Sequence, residues 1–233
     1  MKTLSVILLT CLAASAQSDL PHFGIGFSAS TLGLGVQAAT AVTSRANLRA
    51  GFNIFNYSDT IHKDGVNYQG DLHLRSVQVT WDQYFGAFHI SPGLLVYNGN
   101  RATALASVPG GQSFTLGGNT FYSNSATPVG GSGELTVNKA APMILVGFGN
   151  LLPRSQRHFG VNVEAGVVFQ GSPKIRLNLG GITCLNAAQT ACVNTATDTL
   201  VQGSVIAEQS KLSNQAGPYK YFPVVAIGFG YKF

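Results

Sequence analysis

The stretch SDTIHKDGVNYQGDLHLR gathers His62, Asp64, Asp71 and His73 into a short span. Imidazole and carboxylate groups at such spacing can pass protons or share a metal ion. Positioned imidazole and carboxylate groups are the usual general acids and bases of hydrolases. These four are therefore the best catalytic or metal candidates in the chain. Their spacing matches no specific signature, and a solvated loop ordinarily carries such residues. The expectation is accordingly a protein that is not an enzyme, with no catalytic residue, no cofactor and no metal.

Any reading of the other charged residues depends on the elements that hold them. Charged residues make up 10% of the 233 positions, against roughly 25% in ordinary soluble domains. That is too few for a typical water-facing surface. The formal charge of +5 is spread along the chain rather than gathered into a tract, which argues against a nucleic-acid partner. No segment after the first residues holds about 18 consecutive apolar positions, so a helical membrane span is not expected.

The opening residues MKTLSVILLTCLAASAQ carry Lys2, an apolar run from Leu4 to Ala14, and a small-x-small site at Ala14-Ser15-Ala16. This is the anatomy of a secretory signal peptide spanning 1–16, cut after about Ala16. The rival is a lipoprotein signal with Cys11 as the lipidated residue, disfavoured by Thr10 before it and by the truncated apolar run. The mature chain, 17–233, then keeps Cys184 and Cys192. In an oxidising envelope a close pair within a polar stretch is most simply a loop disulfide.

Gly, Asn, Ser and Pro clusters punctuate segments of alternating character, predicting eight strands at 23–29, 32–43, 47–57, 72–84, 88–98, 134–148, 159–179 and 219–233. The apolar parity changes between Ile25/Phe27 and Leu32/Leu34/Val36, which calls for either a tight turn or a bulge near Ser30-Thr31. Short connections at 43–47, 85–88 and 149–158 alternate with long ones at 58–71, 99–133 and 180–218. In an up-and-down antiparallel sheet every second connection lies at the same end, so all the long ones emerge together. Outer-membrane barrels have this asymmetry, whereas a secreted sandwich has no reason for it. Within the long connections, Gly117-Gly118 predicts a hairpin bearing Phe114, Leu116, Phe121 and Tyr122. Those aromatics either cover a barrel mouth or serve adhesion. The segment DTLVQGSVIAEQSKLSN predicts a short helix, with Leu200, Val201, Ile206 and Leu212 at helical spacing.

The terminal FPVVAIGFGYKF places Val225, Ile227, Phe229, Tyr231 and Phe233 on one face and small residues plus Lys232 on the other. Phe159, Val161, Val163, Ala165, Val167 and Phe169 form a similar face, as do Val77, Val79 and Trp81. A soluble sandwich would fill the opposite face with lysine and glutamate. Here it holds Gly, Ala, Ser, Asn and Gln, as suits the crowded lumen of a small barrel. Arg49, Asp82, His89, Glu164 and Lys232 fall on that inner face and are expected to pair, Arg49 or Lys232 with Asp82 or Glu164, because isolated buried charges are costly.

The segments GIGFSASTLGLGVQAAT, NLRAGFNIFNYS, SPGLLVYNGN, VNKAAPMILVGFGN, VVFQGSPK and YFPVVAIGFGYKF resemble a group of small, OmpA-like and mostly uncharacterised bacterial outer-membrane β-barrel proteins. The similarity covers nearly the whole mature chain. It implies an all-β, antiparallel up-and-down transmembrane barrel and an outer-membrane location, and it carries over no catalytic motif. It also implies that the terminal strand, with Phe229, Tyr231 and Phe233, faces lipid and is read by the barrel-assembly machinery. The expected product is a monomer in outer-membrane lipid with a structural or surface-interaction role and at most narrow permeability. The alternatives are a pore for small or apolar solutes, a surface hydrolase, and a secreted lipocalin-like binding barrel.

Overall fold

The structure, a computed structural model, describes residues 23–63, 66–153 and 156–233. The expected signal peptide with Cys11, and Asp64 of the His/Asp group, lie outside the described residues. Among the described residues the fold is all-β and antiparallel apart from one helix and a short 3-10 turn. Its strands are β1 (Phe23–Ser30), β2 (Gly33–Thr43), β3 (Ala46–Lys63), β4 (Val66–Phe85), β5 (Phe88–Asn98), β6 (Arg101–Ser107), β7 (Ser113–Leu116) and β8 (Asn119–Ser123). They continue as β9 (Gly130–Thr136), β10 (Ala141–Gly149), β11 (Phe159–Phe169), β12 (Lys174–Gly180), β13 (Ile182–Cys184), β14 (Cys192–Asn194) and, after helix α1 (Thr199–Gln215), β15 (Tyr221–Lys232).

Hydrogen-bonded neighbours run β4, β3, β2, β1, β15, β11, β10, β5, and β5 pairs in turn with β4. The two ends of β4 have different partners. Ser76 to Phe85 lie against β5, whereas Asn67 to His73 lie against β6. The far end of β4 thereby starts an extension that continues through β6, β9 and β12. A separate small sheet, ordered β14, β13, β8, β7, forms beside it.

Several boundaries differ from the sequence reading. At 23–43, where the sequence allows a tight turn or a bulge, the turn is the one formed and the two counted strands stay separate, because Ser30 pairs directly with Gly33 across Thr31-Leu32. Leu32 is a turn residue, which frees it from strand parity. It folds inward onto Leu95, Met143 and Leu145, while Leu34 and Val36 face out. The segment 58–71 is not a loop: β3 and β4 stay paired from Ala46/Gln83 to Lys63/Val66. The predicted strand 134–148 divides into the end of β9 and β10, which belong to different neighbours. The predicted strand 159–179 divides into β11 and β12 at Gly171-Ser172-Pro173, where Gly171 has a φ of +74° and proline has no N–H to donate. Besides the expected hairpin and helix, the long connection 99–133 holds β6 and the start of β9, and 180–218 holds β13 and β14.

Side chains divide by parity as the pleat requires. Phe27, Leu34, Phe52, Val146, Val161, Phe159 and Phe229 are exposed on the outer face, and Gln37, Ser76, Gln78, Thr80, Ser91 and Asn162 are buried on the inner one. Aromatic pairs gather at the end carrying the short turns, among them Phe88/Phe148 at 5.5 Å and Phe159/Tyr231 at 5.4 Å. Phe169/Tyr221 stands toward the opposite end.

Candidate functional site

Between the short-turn end and the middle of the strands, the inner face holds a dense ionic layer. Arg49 of β3 is 1% exposed and Glu164 of β11 is 3% exposed. The Arg49 guanidinium is a rigid fork of five N–H donors. Its Nε lies 2.9 Å from Asp82 Oδ2, and its Nη2 donates to Asp82 Oδ1 at 3.0 Å. Its Nη1 donates to Glu164 Oε2 at 2.8 Å and to Gln37 Oε1 at 3.0 Å, and its Nη2 also reaches Glu164 Oε1. Thr80 Oγ1 donates to Asp82 Oδ1 at 2.9 Å, and His89 Nε2 meets Glu164 Oε1 at 3.0 Å. Strands β2, β4 and β11 thus converge on the guanidinium that β3 supplies, and β5 joins the layer through the contact of His89 with Glu164. The layer has room because Gly147, paired with both His89 and Glu164, has no side chain. A Cβ there would stand 2.8 Å from Glu164 Cγ and 2.9 Å from His89 Cε1.

Lys232 is buried on the same face but stands apart from this layer. Its Nζ donates to Pro153 O at 3.0 Å, and its backbone N–H donates to His158 O at 2.7 Å. Of the two basic candidates, the structure brings Arg49 to Asp82 and Glu164 and sends Lys232 to the connection 149–158. That connection was read as a plain turn, yet Leu151 and Leu152 are fully buried and pack with Ala39. Asn150 Oδ1 secures it by accepting from Leu152 N–H at 2.8 Å and from Asn47 Nδ2 at 3.1 Å. On the opposite side of the ionic layer, Leu32, Leu95, Met143, Leu145, Val168 and Val224 form an apolar cluster. The inner space is therefore filled in three successive levels.

The His/Asp group is strung along the β3/β4 ladder. His62 pairs with Asn67 and His73 with Asn56, each through Nδ1, while Ser58 Oγ donates to Asp71 Oδ1. On this ladder His62 and His73 are separated by six positions, about 20 Å at strand rise. They do not converge on one centre. Among the described residues no cluster of three or more His, Cys, Asp or Glu could hold a metal ion.

The long connections build a domain of their own. Gly117 and Gly118, at φ of +59° and +86°, turn β7 into β8 in the left-handed conformation a two-residue hairpin needs. Leu116 and Phe121 are buried against Val201 and Val205 of α1, so these hairpin side chains form a core rather than a projecting surface. Asp198 caps α1, accepting from Leu200 and Val201 N–H. Val201 faces the core, whereas Leu200 and Ile206, grouped with it by helical spacing, are exposed. Cys184 and Cys192 are joined by a disulfide where β13 pairs with β14. Phe229, Tyr231 and Phe233 lie on the outer face, with Tyr231 and Phe233 rings 5.2 Å apart and Phe233 stacked on Phe23 at 6.2 Å. Sequence reasoning missed the inserted leucines and the loop-domain core. The signal available was only the adjacent pair Leu151-Leu152 in a short connection and the apolar residues Phe114, Leu116 and Phe121 flanking Gly117-Gly118.

No protein-family model matches the sequence, and no curated protein matches it. Among solved structures the fold is similar to that of CarO2 from Acinetobacter baumannii, at a TM-score of 0.57 and 21% identity, covering 93% of this chain and 100% of that one. It is also similar to CarO from the same organism, at a TM-score of 0.54 and 22% identity, covering 90% and 97%. At this level of identity the likeness establishes a shared all-β fold.

Proposed function

We propose that the chain is an integral outer-membrane protein: a monomeric, closed barrel of eight antiparallel strands that displays a folded loop domain outside the cell. It has a structural or surface-interaction role, no enzymatic activity and at most narrow permeability. Its export would use the signal cut after about Ala16, and its terminal strand would be the part read by the barrel-assembly machinery. One observation carries this reading: every strand of the pairing circuit through β1 to β5, β10, β11 and β15 turns large apolar residues outward, while its inner positions are mostly small or polar, with most of the larger apolar ones gathered in the Leu95 cluster. Exposing such a band to water would be costly, whereas hydrocarbon accommodates it. The band has a fitting height. Phe159 to Phe169 is 11 residues, whose ten steps span about 33 Å along the strand and about 23 Å across a bilayer at the usual tilt.

The filled interior favours a structural role over a pore. An eight-stranded ring leaves a lumen that side chains just fill, and here the inserted leucines, the Arg49 layer and the Leu95 cluster occupy it in turn. In cells, unboiled protein should fractionate with the outer membrane and migrate faster on a gel than boiled protein, as detergent-resistant barrels do. Identical migration together with extraction by alkali would overturn the membrane assignment. In planar bilayers the wild-type protein should give no resolvable conductance steps, and steps of the size of a water-filled porin would overturn the blocked interior.

A further inference from the structure

The loop domain contains a cleft of about 670 Å³. Its floor is the extension sheet. One cross-strand row runs Tyr68, Ala106, Gly131, Leu179, and the next places Ala104, Gly133 and Leu177 side by side. In each row the middle positions are Ala and Gly, so the floor is low, with Leu179 and Leu177 leaning over Gly131 and Gly133 as one wall and Tyr68 standing opposite in the first row. The roof is the β7/β8 hairpin and α1, which contribute Phe114, Leu116 and Leu212.

Two apolar clusters meet at this place without closing it. One is centred on Phe121 and Val205 and the other on Val66 and Val129; Phe114 and Leu179 belong to both. Elsewhere the loop domain packs tightly, but here the small residues hold the walls apart, leaving apolar surface facing water. The volume falls within the range of small-molecule sites, which are mostly apolar with a few fixed polar groups. Glu208 is the charged residue among those lining the cleft. It is held in place: Oε2 accepts from Gly117 N–H at 3.1 Å, and Oε1 accepts from Lys211 Nζ at 3.3 Å. A carboxylate only accepts hydrogen bonds, so it suits a ligand end that donates them.

We infer that this cleft binds a small single-chain amphiphile, an alkyl chain laid along the Ala/Gly floor with a hydroxyl or amine end at Glu208. The inference rests on the reading that the loop domain faces the exterior. The test uses outer-membrane vesicles carrying the full-length protein and a photoreactive decanol bearing a diazirine in its chain. Cross-links should map to the peptides containing Phe114, Leu177 and Leu179, saturate with dose, and be displaced by unlabelled decanol more readily than by decanoate. Ala104→Leu combined with Ala106→Leu, which fills the floor with apolar groups, should lower this labelling at least five-fold while heat-modifiable migration is unchanged. Labelling confined to lipid-facing strands, cleft labelling that the double variant leaves intact, or two copies cross-linked through the cleft would each overturn the assignment. Fractionation of the same cells reports separately on location. Heat-modifiable outer-membrane protein with an unlabelled cleft overturns the cleft alone, whereas a labelled cleft in protein found elsewhere overturns the location alone.

Discussion

A guanidinium withdrawn from water must recover its hydrogen bonds from neighbours, and Arg49 does so from Asp82, Glu164 and Gln37. Replacing Arg49 by Leu alone would leave the carboxylates of Asp82 and Glu164 buried without their cation. The expected loss is about 3–5 kcal/mol, the usual scale for breaking a buried ionic group from one side. Replacing Arg49, Asp82 and Glu164 together by Met, Leu and Leu removes the charges as a set, so most of that loss should be recovered. Urea titration of the heat-modifiable band would measure both variants. A triple variant as unstable as the single one would mean that the layer acts through shape rather than charge. Parity alone groups Arg49, Asp82, His89, Glu164 and Lys232 on one face, because a strand offers only two directions, and all five are buried. Parity does not say which residues meet. Lys232 and Arg49 share a face, but Lys232 sits at the end of its strand beside Pro153, beyond reach of the central carboxylates.

At the scale of elements, local pattern and pairing partner part company. The strand positions of the circuit could largely be read from alternation, since each turns large apolar residues to one face and mostly small or polar residues to the other. The divisions at 137–140 and 170–173 could not, because alternation persists across them while the hydrogen-bonding neighbour changes. The connection 149–158 likewise hides its role: burial of Leu151 and Leu152 depends on a cavity made by distant strands. Leu152→Ala should therefore cost about 2–5 kcal/mol, as for other fully buried leucines, where a leucine in a solvated turn would cost almost nothing. Thermal scanning of gel migration distinguishes the two. The disulfide belongs to the other end. In the chain-entropy account, closing so short a loop is worth about 2.5 kcal/mol, and the bridge joins only β13 to β14. Serine at both Cys184 and Cys192 should speed proteolysis of the loop domain and leave heat-modifiable migration intact. Loss of that migration would show that the small sheet and the circuit fold as one unit.

For the whole molecule, the question is what holds the outer face, and the end of the chain poses it most sharply. Phe233 is 63% exposed, and its contacts are the stacked ring of Phe23 and the edge of Tyr231. Its backbone N–H donates to Phe23 O at 3.0 Å, joining the last residue to the first described strand. In a soluble strand, removing one such terminal aromatic would cost about 1 kcal/mol of partial burial, and export and folding would survive, since chain ends commonly fray. On the proposed reading, Phe233 closes a lipid-facing ladder with Val225, Ile227, Phe229 and Tyr231 and is recognised during assembly. Deleting it, or replacing it by Asp, should then leave the signal cleaved but the chain held in the periplasm and open to proteolysis. The neighbouring change Lys232→Gln provides the contrast. That side chain is buried on the inner face and can keep a hydrogen bond to Pro153 O through its amide, so insertion should fall only slightly. The measurement is the heat-modifiable protein recovered in the outer-membrane fraction for each variant, with yields at least ten-fold apart expected. Equal yields would mean that the outward ladder plays no part in insertion, and would remove the main physical reason for placing the apolar face of these strands in lipid.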